Sequence, residues 1–139
     1  MRSYRKEILF DVPVKEELIE ITPEVAEALV DSGIQDGFVL CNSMHTTSSV
    51  FISNNDRSIN EDYLQWLNKL APHEQQYIYT HSNTDTANTD AFLKTQIMGR
   101  GVTIAVTNGE LDLGISEQIF YGEFDGKKRK KILIKIIGE

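Results

Sequence analysis

The sequence predicts an α+β protein, with mostly antiparallel strands, about three helices and one domain over residues 1–139. Short alternating or apolar runs separated by turn residues recur along most of the chain, as is typical of strands. Three other segments have helix boundaries or helical spacing of apolar residues. A length of 139 residues with 40% hydrophobic content is enough for one buried core.

The first strand and the first helix are marked by prolines. Residues 4–12 alternate loosely and end at Pro13, which predicts a strand at a sheet edge. Thr22-Pro23-Glu24 predicts a helix start, with the threonine hydroxyl as cap and proline at the first helical position. Gly33 ends this helix. Its predicted apolar side is formed by Val25, Ala26, Leu29 and Val30.

Two short apolar runs, residues 37–42 and 48–53, are typical of buried strands. His45 lies between them and is followed by Thr46 and Thr47. Threonine hydroxyls can engage one ring nitrogen and leave the other for a ligand, a proton or a metal. The simpler interpretation, a histidine that satisfies local backbone groups, is favoured by about two to one for an isolated histidine.

The clearest helical pattern follows residue 58. Five apolar residues recur there along one predicted core face: Ile59, Tyr63, Trp66, Leu67 and Leu70. Ser58 and Glu61 match a capping box, and Pro72 ends the helix. We expect His73, beside that proline, to be exposed to solvent.

A polar run, residues 81–94, joins a predicted strand at 76–80 to a predicted helix that ends at Gly99. The amides at the start of that helix could bind an anion. Residue type alone does not separate helix capping from ligand binding here. The candidate side chains of the run are His81, Asp85, Asn88 and Asp90.

The last third of the chain predicts strands. Gly99-Arg100-Gly101 is not a dinucleotide fingerprint, because a strand pattern follows it rather than a helix. Asn108-Gly109 is typical of a tight hairpin turn. The predicted strands are residues 102–106, 111–113, 118–124 and 131–137, and in the last of them Ile132, Ile134 and Ile136 share a face.

Charge and composition narrow the class of partner. The net charge of -7 argues against nucleic acid, which requires a dominant basic surface. A basic cluster at residues 127–131 suits a small phosphorylated ligand, although such a cluster can also simply protect a sheet edge. The single cysteine, Cys41, cannot form an internal disulfide, and no apolar run approaches the roughly 20 residues of a membrane span. We expect a cytoplasmic protein.

Several motifs occur in a defined order along the chain. They are His45-Thr46-Thr47-Ser48-Ser49, the strand-end His81, Asn88-Thr89-Asp90-Ala91-Phe92-Leu93-Lys94, Met98-Gly99, Gly109 with Leu111 and Gly114, and Glu117-Gln118-Ile119 running into Glu123-Phe124-Asp125-Gly126. In this order and spacing they resemble the YjbQ-like family, also called secondary thiamine-phosphate synthase. The resemblance covers nearly the whole chain.

The resemblance implies a compact α+β subunit that assembles as a homotrimer, with a polar pocket near the histidines. It implies a thiamine-phosphate synthase activity that joins a hydroxymethylpyrimidine diphosphate to a thiazole phosphate and releases pyrophosphate. Family members have a third histidine where this chain has Phe92, and the three histidines look like a metal site. Ser116 replaces a usual tryptophan, and Asn54 and Asn55 replace common acidic residues.

The first functional hypothesis is therefore an enzyme of small phosphorylated molecules. In it, His45 and His81 act as acid and base or as ligands of a divalent metal ion, Zn or Mg. Asn88 and Asp90 orient the substrate. Because phenylalanine cannot donate to a metal, the shell of a metal held by the two histidines would need water, Asp90 or Asp85.

In this hypothesis, Lys128 and Arg129 of the basic cluster hold the substrate phosphate.

The second hypothesis is a catalytically degenerate homotrimer that binds a small ligand or has a structural role on the same scaffold. The replacement at Phe92 favours it, and we weigh the two about evenly. Nucleic-acid binding through residues 127–131 is disfavoured by the overall charge, and no membrane partner is expected.

Overall fold

The computed structural model describes residues 1–73, 79 and 88–139. The predicted strand at 76–80, apart from Tyr79, lies outside the described residues, as do His81 and Asp85. The described part contains eight strands: β1 (Arg2–Asp11), β2 (Glu17–Glu20), β3 (Gly37–Ser43), β4 (Ser48–Asn54), β5 (Gly101–Thr107), β6 (Glu110–Leu111), β7 (Glu117–Glu123) and β8 (Arg129–Gly138). Its helices are α1 (Thr22–Ser32), α2 (Ile59–Leu70) and α3 (Thr89–Met98).

The strands form two antiparallel sheets, which confirms the predicted α+β class. The five-stranded sheet has the order β1-β8-β3-β5-β6, and the three-stranded sheet has the order β2-β7-β4. The first strand lies at a sheet edge, as its proline predicts. Ile132, Ile134 and Ile136 of β8 are fully buried. Their shared face therefore forms part of the main core, together with α1 and the inner face of β7.

Helix α1 has the predicted bounds, but its first turn is not capped as predicted. Gly33 ends it with φ 69°, a left-handed conformation that glycine adopts without a Cβ clash. The Thr22 hydroxyl, predicted to cap the helix, instead accepts a hydrogen bond from the Ile119 N–H at 2.8 Å. Val30 is 75% exposed, whereas Ala28 is buried. The apolar side was thus predicted incorrectly at Val30, and the helix is fastened to β7 rather than capped by its own threonine.

Helix α2 also has the predicted bounds, but much of its apolar stripe faces solvent. Leu67 is fully buried, whereas Trp66 is 47% and Leu70 is 56% exposed. The predicted capping box is wrong, because α2 has no side-chain cap within the described chain and the Ser58 hydroxyl donates to Asp56. Leu67 packs in a small second cluster. The helix thus contacts too little protein to cover its whole apolar face.

The remaining turns follow the predictions. Asn108 and Gly109 both have positive φ angles, 52° and 78°, as a tight hairpin turn requires. Helix α3 ends at Met98, immediately before Gly99. None of the helices in the described part is long and apolar enough to span a membrane.

Candidate functional site

His45 lies in the turn between β3 and β4, beside the start of β8. Its backbone N–H donates to Ser43 Oγ at 3.1 Å, which holds the turn. Its ring Nε2 accepts a hydrogen bond from the backbone N–H of Lys131 at 3.0 Å. The threonine hydroxyls predicted for this role are thus replaced by a main-chain donor. Because a backbone amide can only donate, the neutral ring must carry its proton on Nδ1.

The surroundings of His45 favour the neutral ring. Burial lowers the pKa of the imidazole, and the positive charges of Lys130 and Lys131 lower it further, while Glu123 opposes them. The pKa lies below the ordinary value of 6.5 as a result. At neutral pH the side chain therefore presents an uncharged Nδ1–H donor.

A buried ionic cluster lies near His45 and is centred on Glu123, which has no exposed side-chain area. Its Oε1 accepts from the Tyr121 hydroxyl at 2.6 Å, and its Oε2 accepts from Thr47 Oγ1 at 3.0 Å. Lys130 Nζ donates to Thr47 Oγ1 at 3.1 Å and lies 3.6 Å from the carboxylate. Burial and the bond to Glu123 raise the pKa of Tyr121, so the phenol stays protonated. The cluster is thus an ion pair of Glu123 and Lys130, with Tyr121 and Thr47 hydrogen-bonded to the carboxylate.

A cleft of about 250 Å³ opens beside His45. This volume is just below the roughly 300–1,000 Å³ that is usual for sites of drug-sized ligands, so the cleft suits a small molecule. The described residues that line it come from the β3–β4 turn, the end of α3 and the segment after it: Ser43, Met44, His45, Thr46, Thr95, Gln96 and Arg100.

Asn88 is connected to the same cluster. Its amide Nδ2 donates to Asp125 Oδ2 at 3.2 Å, and the backbone N–H of Asp125 donates to Glu123 Oε2 at 3.0 Å. Asn88 is thus linked to Glu123 through Asp125, and the charge of Glu123 also acts on His45.

Asp90 has a different environment from the one predicted. It is fully buried, and Oδ2 accepts from Lys94 Nζ at 2.8 Å and from Lys15 Nζ at 3.1 Å. Oδ1 lies 3.0 Å from His73 Nδ1, so His73 is not simply exposed as expected. Burial by itself would raise the pKa of Asp90, but these hydrogen bonds outweigh it and hold the pKa well below the ordinary value. Asp90 is thus the acceptor of an internal ion cluster.

A hydrogen bond joins this second cluster to the chain beside Glu123. Lys15 Nζ also donates to the carbonyl of Phe124 at 2.8 Å, between Glu123 and Asp125. The fully buried Lys94 completes its bonding with Asn68 Oδ1 at 2.7 Å and lies 3.3 Å from Glu16. A separate cleft of about 380 Å³ borders this cluster, lined among the described residues by Lys15, Glu16, Asn68, Pro72 and His73.

The predicted phosphate-binding residues lie at the surface. Lys128 is exposed in the turn before β8, and Arg129, also exposed, begins that strand opposite Asp11. The cation of this run that enters the interior is Lys130, at 6% exposure. Arg100, which lines the His45 cleft, is not among the residues predicted from the sequence, because Gly99-Arg100-Gly101 before a strand matches no ligand-binding motif.

The described donors do not fit the implied metal ion. The Nε2 lone pair of His45 is engaged by the Lys131 N–H, both oxygens of Asp90 are hydrogen-bonded, and Phe92 offers no donor atom. Across residues 1–73, 79 and 88–139 there is no group of three or more metal-ligating side chains. The side chains of these described residues therefore supply no ligand set for the metal. His81 lies outside the described residues.

Comparison with known proteins identifies the fold and the family. A solved structure of a YbjQ-like protein of unknown function from Sulfolobus solfataricus has a TM-score of 0.93 and 27% identity, and 99% of each chain is covered. An uncharacterised conserved protein of the same family from Clostridium acetobutylicum has a TM-score of 0.86 and 31% identity, over 95% of this chain and 99% of that one.

Sequence relatives agree with the structural ones. A UPF0047 protein from Methanothermobacter thermautotrophicus is 32% identical over 139 residues, which is 100% of this chain and 95% of that protein. The UPF0047 protein YugU of Bacillus subtilis is 33% identical over 89% of this chain and 92% of its own length. The family profile described as UPF0047 protein YjbQ-like matches residues 6–139. The chain therefore belongs to the YjbQ-like, UPF0047 family.

Proposed function

We propose that the protein is an enzyme of small phosphorylated substrates, with its site in the cleft beside His45. The observation that carries this proposal is the His45 ring, held in one tautomer by the Lys131 N–H near the Glu123–Lys130 pair. A fixed, uncharged N–H donor in a partly buried cleft can stabilise negative charge that develops on a reacting oxygen.

The reaction we propose is the thiamine-phosphate synthase-like transfer implied by the family resemblance. The bond between the pyrimidine methylene carbon and the diphosphate oxygen breaks, and the electron pair leaves with the diphosphate. The thiazole nitrogen supplies the electron pair for the new carbon–nitrogen bond, so no oxidant or reductant is needed. His45 Nδ1–H would donate to the departing oxygen, and Asn88, which is bonded to Asp125, would orient the substrate. The exposed Lys128 and Arg129 would attract the anionic substrates at longer range.

The direct test is product formation by the purified protein. Given both phosphorylated precursors and magnesium, it should release pyrophosphate and form thiamine phosphate, measured by mass spectrometry. His45→Gln should lower the rate about 10²–10³-fold, the usual loss for a donor that stabilises developing charge. His73→Gln, a change of the histidine at the other cleft, should leave the rate unchanged when circular dichroism confirms folding. Absence of product with the parent protein would contradict the proposed reaction.

A second candidate, a ligand-binding protein without catalysis, is favoured by Phe92. This side chain lies on α3 one turn before Gln96, which lines the His45 cleft. Under this alternative, the parent protein forms no product, and Phe92→His creates metal binding or activity that the parent does not have. An active or metal-loaded parent would contradict it.

We also propose that the protein is a homotrimer. The outer face of the five-stranded sheet exposes Phe38 at 60%, with Leu40 and Ile137 each at 39%, on the adjacent strands β3 and β8. Contiguous exposed apolar side chains commonly mark a contact between subunits. Light scattering should give about three times the 15.8 kDa chain mass, and Phe38→Glu should lower it. A mass of one chain, 15.8 kDa, for the parent protein would contradict the homotrimer.

A further inference from the structure

The segment Gly99-Arg100-Gly101 brings an arginine to the His45 cleft, and the backbone of this segment is held in place. The carbonyl of Arg100 accepts a hydrogen bond from the Ser43 N–H at 2.9 Å, two residues before His45. A Cβ atom at Gly101 would lie 2.6 Å from the Cys41 carbonyl oxygen, so only glycine allows this close approach to β3. The backbone of Arg100 is therefore held against the strand that leads to the His45 turn.

Arg100 differs from the other cations near the two ionic clusters. Lys15, Lys94 and Lys130 each lie within 4 Å of a carboxylate. Arg100, by contrast, has no carboxylate at ion-pair distance among the residues that the structure describes. Within the described part of the chain its positive charge is thus uncompensated at the cleft, where an anionic ligand could pair with it.

The rest of the cleft wall is rich in hydrogen-bond donors. His45 presents its Nδ1–H, and Thr46 and Gln96 add an exposed hydroxyl and an exposed amide. The hydroxyl of Thr95 is buried without a hydrogen-bond partner in the described part of the chain, and the residue as a whole is 8% exposed. No carboxylate stands among the described residues that line this cleft. Such a wall suits an anion with several acceptor oxygens.

We propose that Arg100 and His45 form the subsite for a phosphate or diphosphate group of the substrate. The planar guanidinium can donate two parallel hydrogen bonds to phosphate oxygens, which lysine cannot reproduce. The subsite rests on the proposed function for its substrate class. This assignment differs from the prediction made from the sequence, in which Lys128 and Arg129 hold the phosphate. Arg100 lies 28 positions before Lys128.

Binding of inorganic phosphate and of pyrophosphate, measured by calorimetry on the full chain, tests the subsite. Arg100→Gln should weaken binding about 10–100-fold, the range for lost hydrogen bonds to a charged group, and Arg100→Lys should restore only part of it. Arg57→Gln removes the same charge at an exposed position paired with Glu20 and should leave binding unchanged. Phosphate should also shift the His45 ring resonances of the parent protein and of Arg57→Gln, but not those of Arg100→Gln.

Failure of the subsite and failure of the proposed reaction give different results. If phosphate binding depends on Arg100 but no thiamine phosphate forms, the result supports the subsite and contradicts the proposed reaction. If Arg57→Gln and Arg100→Gln weaken anion binding equally, the effect arises from net charge alone, and the subsite is overturned. Undetectable binding of both anions by the parent protein, or binding that leaves the His45 resonances unchanged, would overturn it as well.

Discussion

Replacing Asp90 with alanine is expected to lower the free energy of unfolding by about 3–5 kcal/mol, the usual cost of removing one partner of a buried ion pair. Asp90 and Lys94 both have fully buried side chains, 2.8 Å apart. Without the carboxylate, Lys94 keeps Asn68 and the more distant Glu16 but loses its closest charged partner. Urea denaturation measures the loss.

The control for this change is an exposed pair. Lys6 lies 3.8 Å from Asp31 with both side chains partly in solvent, so Lys6→Gln should alter stability very little. The double replacement Asp90→Leu with Lys94→Met, which removes both charges, should recover part of the lost stability. A loss for Asp90→Ala no larger than that for Lys6→Gln would contradict the structural role of the cluster.

The pH dependence of stability is a second measurement of the contribution of Asp90. The pKa of Asp90 is lowered on folding, so the unfolded chain binds its proton first as the pH falls. The contribution of Asp90 is complete above the ordinary value of 3.8 and is lost as the pH falls from there through the folded-state pKa. In Asp90→Asn, this part of the acid dependence should disappear.

Replacing Glu123 with alanine should have a comparable effect, about 3–5 kcal/mol, because it leaves Lys130 buried at 7% side-chain exposure without its carboxylate. The Tyr121 hydroxyl also loses its acceptor in the core. Glu123 raises the pKa of His45, so the milder Glu123→Gln should lower that pKa further. Denaturation and a proton NMR titration of His45 measure the two effects.

The matched control is Glu7→Gln, a change of an exposed carboxylate that pairs with Arg5 and Lys131. It should leave both the stability and the His45 titration close to those of the parent protein. A His45 pKa that rises in Glu123→Gln would contradict the assigned electrostatics. A stability unchanged in Glu123→Ala would contradict the buried cluster.

The fold was largely predictable from local patterns. The alternation of Ile132, Ile134 and Ile136 predicts one buried face in any sheet that packs against a core, and the structure confirms it. Helix α2 was placed correctly, yet the burial of Trp66 was predicted incorrectly. Helical spacing shows which residues share a face, but the extent of burial depends on partners elsewhere in the chain.

The candidate site was predictable only in part. His45 was found because histidine has a limited set of roles, but nothing local indicates that its ring meets the amide of Lys131, 86 residues later. The pairing of Thr47 with Glu123 spans 76 residues and that of Lys15 with Asp90 spans 75. Buried charges form wherever distant side chains meet, so residue type at one position does not reveal them.

These long separations determine when the site can form during synthesis. Lys131 completes the His45 environment from 86 residues further along the chain, and Lys15 contacts the carbonyl of Phe124 across 109 residues. A nascent chain that has not yet released β8 has no donor for Nε2 of His45 and no lysine for Glu123. Contacts of such range also slow folding, since the chain must close large loops first. The environment of the His45 ring is therefore completed only when β8 is in place, and a fragment that ends before residue 131 lacks the donor to its Nε2.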